Sequence, residues 1–272
     1  MPVRDWVAGP TPHLLLRALA AAALLLVALP ASAQARWLPQ PTTAPWQWQL
    51  QGRVDTSIDA RVFEIDGFDA GAGVVRALHS RHRRAICYLD VGSWESYRPD
   101  AGRFPDSVKG ARYEGYPDER WLDIRRIGTL APILRRRFDL CRRKGFDAVE
   151  PDNVNGYENE TGFPLTARDQ LRFNRWIAAE VHRRQMSVAL KNDGGQVEAL
   201  VRNFDFAVVE QCFQYDECGD YVPFVTAGKP VFEAEYEIAP SRFCARAARL
   251  RFSAIRKGYD LFARPWRPCR DG

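Results

Sequence analysis

The chain has 272 residues, a formal net charge of +5, 46% hydrophobic residues and 27% charged residues. The length suits one large domain. The mild positive charge sits mostly on arginines of predicted helix faces, such as Arg135-Arg136-Arg137 and Arg142-Arg143. With no Lys/Arg-rich tail and no aromatic RNA-binding signature, this pattern excludes nucleic acid as a partner.

Arg4, His13 and Arg17 flank an apolar run that starts at Leu14 and reaches Leu29, and Pro30 to Ala35 then supplies small residues in Ala-x-Ala spacing. Residues 1–35 read as a secretory signal peptide cleaved after Ala33 or Ala35. Arg17 and the cleavage motif argue against a membrane anchor, so the mature chain is expected to lack a membrane span. Removing Arg4, Arg17 and Asp5 lowers the net charge by one. The expected location is secreted or periplasmic, and the expected state is a monomer.

Residues 36–45 form a Pro-rich linker, after which strand-like and helix-like segments alternate. Strand candidates are Trp46–Leu50, Val62–Asp66, Ala85–Asp90, the run containing Val149, Ser187–Lys191, Phe206–Glu210, Pro230–Ala234 and Tyr259–Phe262. Helices are expected over 128–144, 168–184 and 241–257, with shorter ones at 73–79 and 195–202. Thr166 and Asp169 have capping-box spacing. Eight strand candidates, most followed by a helix, predict an α/β fold: one (β/α)8 TIM-type barrel over 46–268.

The six cysteines all follow the leader. An even number in an exported chain suggests disulfides, although six cysteines allow fifteen pairings. Cys212 and Cys218 are close enough to close a small loop, and Cys244 with Cys269 and Cys87 with Cys141 complete one arrangement. No C-x-x-C pair occurs, and His79, His82 and His182 fall in helix-like stretches, so no metal site is expected.

The stretch from Gly145 to Tyr157 organises the rest. A short apolar run leads to Glu150-Pro151-Asp152-Asn153, and Pro151 cannot donate to a sheet ladder. The strand should therefore end there and leave Asp152 and Asn153 at its carboxyl end, where parallel α/β folds bind ligands. An ordinary loop with a helix cap would look similar. Read across the barrel, the strand ends supply Trp48, Asp66, Asp90, Asn153, Lys191, Asn192, Glu210, Gln211 and Glu235. Glu210 closes an apolar run, so its carboxyl is expected to be partly buried, as a general acid near neutral pH needs. No Ser-His-Asp set, phosphate cradle or nucleotide signature can be assembled, so no cofactor is implied. Carboxylates converging at a barrel mouth point to glycoside hydrolysis. Trp48, Trp94, Tyr97, Tyr157 and Tyr215 stand beside the same strand ends as surfaces for sugar rings.

In order along the chain, Trp46–Leu50, Cys87–Glu95, Arg98-Pro99-Asp100, Trp121–Ile124, Gly145–Tyr157, Leu190-Lys191-Asn192 and Phe206–Cys212 resemble the endo-α-1,4-polygalactosaminidases, glycoside hydrolase family 114. The resemblance spans about residues 45–265. It implies a barrel acting inside polysaccharides rich in α-1,4-linked galactosamine, with Asp152 and Glu210 as the two catalytic carboxylates. Related domains also occur fused to larger exopolysaccharide-export proteins, whereas this chain reads as a stand-alone hydrolase. Asp66, Asp90, Glu95, Asp193 and Glu235 are expected to offer local negative charge to such a cationic polymer.

The resulting expectation is an exported endo-glycosidase with Asp152 as nucleophile or base and Glu210 as general acid/base. Asn153, Tyr157, Lys191, Asn192 and Gln211 would line the substrate. Glu150 is the rival for the first role. Two other readings compete: a catalytically silent glycan-binding barrel, and a hydrolase of another α-linked amino-sugar polymer.

Overall fold

Strand β1 (Trp46–Gln49) alternates tryptophan with glutamine, which puts both indoles on one face of the strand. In the computed structural model, which describes residues 1–3 and 36–269, that face turns into the centre of a barrel. The leader expected over residues 1–35 falls almost wholly outside the described residues.

After β1 come β2 (Val62–Asp66), α1 (Ala72–His79) and β3 (Arg84–Asp90). A small antiparallel sheet follows, made of β4 (Ser93–Glu95), β5 (Lys109–Tyr113) and β6 (Tyr116–Leu122). The alternation resumes with α2 (Ile127–Lys144), β7 (Ala148–Asp152), α3 (Ala167–His182), β8 (Ser187–Lys191) and α4 (Val197–Leu200). It ends with β9 (Phe206–Glu210), α5 (Val222–Thr226), β10 (Val231–Glu235), α6 (Pro240–Leu250), β11 (Ser253–Arg256) and the short β12 (Arg267–Pro268).

The main sheet runs β1-β2-β3-β7-β8-β9-β10-β11 with every pair parallel, and β12 adds antiparallel to β11. Side chains join the first strand to the last. Lys257 Nζ donates to Gln47 Oε1 at 3.1 Å, and Trp266 Nε1 donates to the Trp46 carbonyl at 2.8 Å. The interior holds large rings, Trp46, Trp48, Phe206 and Phe232, opposite small residues such as Ala148 and Ala189. Such alternation fills a barrel of this size without a pore. The other face of each strand packs against the helices and forms the larger core.

Local signals explain the helix ends. Gly145, at φ +90°, terminates α2 in the left-handed region, and its N–H returns to Cys141 and Arg142 carbonyls. Thr166 and Asp169 form the expected reciprocal capping box of α3. Three disulfides link Cys87 to Cys141, Cys212 to Cys218 and Cys244 to Cys269. The first ties β3 to α2. The segment expected as a linker packs on the barrel, with the Trp37 ring 6.2 Å from that of Phe206.

The last strand differs from expectation. Helix α6 stops at Leu250, Arg251 takes a left-handed φ of 60°, and the eighth barrel strand is Ser253–Arg256 rather than Tyr259–Phe262. Phe252 and Ile255 continue the helical spacing, and no glycine marks the turn. What decides the matter is the open edge of β10, which pairs Phe232 with Ser253 and Glu235 with Arg256. Residues 259–262 form a loop, whose Leu261 carbonyl accepts from Leu50 N–H at 3.0 Å. Among the described residues, no helix is long and apolar enough to cross a membrane.

Candidate active site

Three consecutive strands end in the same way. β7 ends at Asp152, β8 at Lys191 and β9 at Glu210, and each is followed by an amide residue in the left-handed region: Asn153 (φ 59°), Asn192 (φ 47°) and Gln211 (φ 55°). Positive φ is uncommon outside glycine, and such positions concentrate at functional sites. The turn swings the chain away from the mouth while the N–H of Asn192 still reaches Val208 O and that of Gln211 reaches Ala234 O, both at 2.9 Å. The charged side chains are left facing one another.

Lys191 is the hub. Its Nζ lies 2.9 Å from Asp152 Oδ1, 3.0 Å from Glu210 Oε2 and 3.3 Å from Glu150 Oε1. Burial opposes the charge on Lys191, but Asp152, Glu150 and Glu210 outweigh it and hold its pKa well above the usual value. Asp152 also accepts from the Tyr88 hydroxyl at 3.0 Å and from the Asn153 N–H at 2.8 Å. Glu210 accepts from the Tyr236 hydroxyl at 2.5 Å and from Asn192 Nδ2 at 3.2 Å. Since both bound oxygens touch one ammonium, they lie at most about 6 Å apart, near the spacing of about 5–5.5 Å in retaining glycosidases. Glu210 is partly buried, as expected, with its side chain 27% exposed, but what surrounds its carboxyl is donors rather than an apolar pocket.

Glu150 and Asp152 point to the same, inner side of β7, so Pro151 does not break the alternation, and Glu150 simply lies deeper. Beneath it is Glu64, also fully buried. Burial and the neighbouring Glu150 push the Glu64 carboxyl well above its usual range. A protonated Glu64 adds a donor to Glu150, whose other partner is the Lys191 ammonium at 3.3 Å.

The other expected residues divide by what they touch. Trp48 is 1% exposed and lies under Lys191, with 4.9 Å from Nζ to the ring, so it floors the site. Asp90 is buried and accepts from Gly92 N, Ser93 N, Ser93 Oγ and Asn153 Nδ2, so it braces Asn153. Asp66 and Glu95 are tied to Arg98, at 2.8 Å and 2.7 Å. Glu235 accepts from the N–H groups of Phe213 and Gln214, holding the loop after β9. Tyr157 donates to Glu158 at 2.6 Å, and Gln211 Nε2 donates to the Tyr259 hydroxyl at 3.1 Å.

Several residues at the site escaped the sequence reading. Tyr88 and Glu64 sit inside strands on the inward parity, a signal available in the sequence. Tyr236 follows β10 and stacks on Tyr259 with centroids 4.5 Å apart. The β5–β6 hairpin brings Tyr113, Tyr116 and Glu119 over the carboxylates, and Asp152 and Glu210 are among the charges felt by both tyrosines. Nothing in strand periodicity signals where that hairpin folds.

A parallel eight-stranded barrel with two carboxylates bridged by one lysine at its carboxyl end is the framework of a barrel glycosidase. The sequence profile of glycoside-hydrolase family GH114 matches residues 27–272, and the chain belongs to that family. The crystal structure of Aspergillus fumigatus Ega3 in complex with galactosamine is similar, at 36% identity, 84% coverage of this chain, 96% coverage of that chain and a TM-score of 0.79. The glycoside hydrolase domain of PelA from Pseudomonas aeruginosa shares the fold at 13% identity, with coverage of 82% and 97% and a TM-score of 0.67. A comparison with curated proteins finds no match.

Proposed function

We propose that this glycosidase cleaves α-1,4-linked galactosamine-rich polysaccharide from within, by a retaining two-carboxylate mechanism, and that it acts outside the cytoplasm as a monomer. The observation that carries the mechanism is the Lys191 ammonium within 3.0 Å of both Asp152 and Glu210. Carboxylate oxygens that share one ammonium favour direct attack on the sugar over a water held between base and sugar. Asp152 is the nucleophile. It is the less exposed of the two, at 17% against 27%, and a backbone N–H, a tyrosine hydroxyl and Lys191 fix its orientation. Glu210, on the longer and more open side chain, protonates the departing oxygen and then takes a proton from water. The galactosamine bound to Ega3 supports an amino-sugar substrate, and so do three carboxyl groups, Glu150, Asp152 and Glu210, set against the single Lys191 charge. Three disulfides support an oxidising location.

The test is incubation of the purified protein with α-1,4-linked galactosamine polymer in deacetylated, mixed and N-acetylated forms. New reducing ends on internal cleavage are expected, with an α-anomeric first product by NMR. Binding without cleavage of every form would return the protein to a glycan-binding role, and a β-anomeric first product would overturn retention.

A further inference from the structure

Ser93 Oγ lies 2.5 Å from Asp90 Oδ2 and 2.9 Å from Glu119 Oε2. A hydroxyl carries one hydrogen and can donate to only one of two carboxylates. The second contact is a hydrogen bond only if the other carboxyl carries a proton. Asp90 already receives Gly92 N, Ser93 N and Asn153 Nδ2 in addition to Ser93 Oγ, so its oxygens are used as acceptors. Burial pushes the Asp90 carboxyl well above its usual range too, but the four hydrogen bonds it accepts favour its ionised form, which assigns the proton to Glu119; Glu119 donates to Ser93 Oγ, which in turn donates to Asp90.

We propose that Glu119, Ser93 and Asp90 form a unit that holds one proton, and that this proton keeps Asp152 in place through Asn153. The connection is short. Asp90 Oδ2 accepts from Asn153 Nδ2 at 2.6 Å, and the Asn153 N–H donates to Asp152 Oδ1 at 2.8 Å. The loops after β3 and β7 are also in close contact, since a Cβ on Gly92 would fall 1.7 Å from the Asn153 carbonyl oxygen. Loss of the proton leaves two anions sharing one hydroxyl hydrogen. Their repulsion moves Ser93 or Asp90, and Asn153 and Asp152 move with them.

The surroundings place this event near neutral pH. Glu119 faces Ser93 and Glu95 on β4, Asp90 and Asp152 at the ends of β3 and β7, and Arg98 and Tyr97 beyond β4, with Tyr116 on its own strand. Burial first, and then the Glu95 and Asp152 charges against the Arg98 guanidinium, push its carboxyl up to about 7. Glu119 is a positioning residue, acting on Asp152 rather than on substrate. This inference rests on the proposed role of Asp152, but the proton itself is observable without substrate.

The experiment follows the side-chain carboxyl carbons of Glu-labelled protein by NMR from pH 5 to 9, alongside kcat and KM. One resonance, missing in Glu119→Gln, is expected to titrate near 7, and Asp90→Asn should lower its midpoint by about one unit or more. A midpoint in the ordinary carboxylate range, or one untouched by Asp90→Asn, overturns the shared proton whether or not the protein cleaves any polymer. In kinetics, one proton lost at about 7 makes kcat fall about tenfold from pH 6 to pH 8, with KM little changed. Glu119→Gln should cut that fall to about twofold, while Asp118→Asn, an exposed neighbour, keeps it. An alkaline fall of the same size in Glu119→Gln overturns the link to Asp152.

Discussion

The Tyr236 hydroxyl donates to Glu210 Oε1 at 2.5 Å. Tyr88 does the same for Asp152 Oδ2 at 3.0 Å on the opposite wall, so each carboxylate has its own tyrosine as well as a share of Lys191. A hydrogen bond to a charged group contributes about 1.5–3 kcal/mol, roughly ten- to hundredfold in rate if it acts in the transition state. Tyr236→Phe and Tyr88→Phe should each reduce kcat by that factor in a protein that stays folded, because both rings keep their packing. Wild-type turnover in both variants would show that the hydroxyls only fill space.

The proposed roles of Asp152 and Glu210 are tested against a neighbour of the same chemistry. Asp152→Asn and Glu210→Gln should each lower kcat by about three orders of magnitude or more while the far-UV spectrum stays native. Glu150→Gln keeps both carboxylates at the mouth and should cost far less turnover. A ranking in which Glu150→Gln is the most damaged would move the nucleophile one layer deeper.

Removal of Lys191 tests its place at the centre. Lys191→Met leaves Glu150 fully buried without its cation and leaves Asp152 and Glu210 to repel each other. Breaking a buried ion pair in this way costs about 3–5 kcal/mol. Thermal unfolding should show the loss at pH 7, and the deficit should shrink as the pH falls and the carboxyls take up protons. A deficit independent of pH would mean that Lys191 contributes packing alone.

Asp193 links stability to pH on the other side of the mouth. Burial first, and then the Glu158 charge, push its carboxyl up to about 8, while Asn174 Nδ2 donates to its Oδ2 at 2.9 Å. The folded chain then holds a proton that the unfolded chain releases near about 3.9. Unfolding free energy therefore falls as pH rises from about 4 to 8. Asp193→Asn carries no such proton and tolerates the left-handed backbone at φ 58°. Calorimetry should find the variant gaining on wild type by several degrees between pH 5 and pH 8; parallel curves would refute the linkage.

The disulfides should differ in what they contribute. Cys87 and Cys141 are 54 residues apart, whereas Cys212 and Cys218 are separated by 6. On the chain-entropy account, replacing the first pair by alanine costs about 4 kcal/mol and replacing the second about 2 kcal/mol. Denaturant unfolding of the two double variants measures both, and an inverted order would mean that local strain or packing outweighs chain entropy.

Much of this molecule is determined by local sequence. Apolar runs bounded by polar clusters set seven of the eight barrel strands, Gly145 ends α2, and the Thr166–Asp169 box starts α3, because each depends only on residues a few positions away. The same reasoning puts Asp152, Lys191 and Glu210 at strand ends. It fails at β11, where helical spacing continues through Phe252 and Ile255 and only the free edge of β10 makes a strand of them. Tertiary structure alone decides which strand-end charges meet. Asp152 and Lys191 are 39 residues apart and touch because β7 and β8 are neighbours in the barrel, whereas Asp66 and Glu95 are drawn to Arg98. Periodicity tells which side of a strand a residue faces, but not its depth or its partner. Glu64 under Glu150, and Glu119 brought by a hairpin to Ser93, depend on barrel closure and loop packing, which no stretch of the chain encodes by itself.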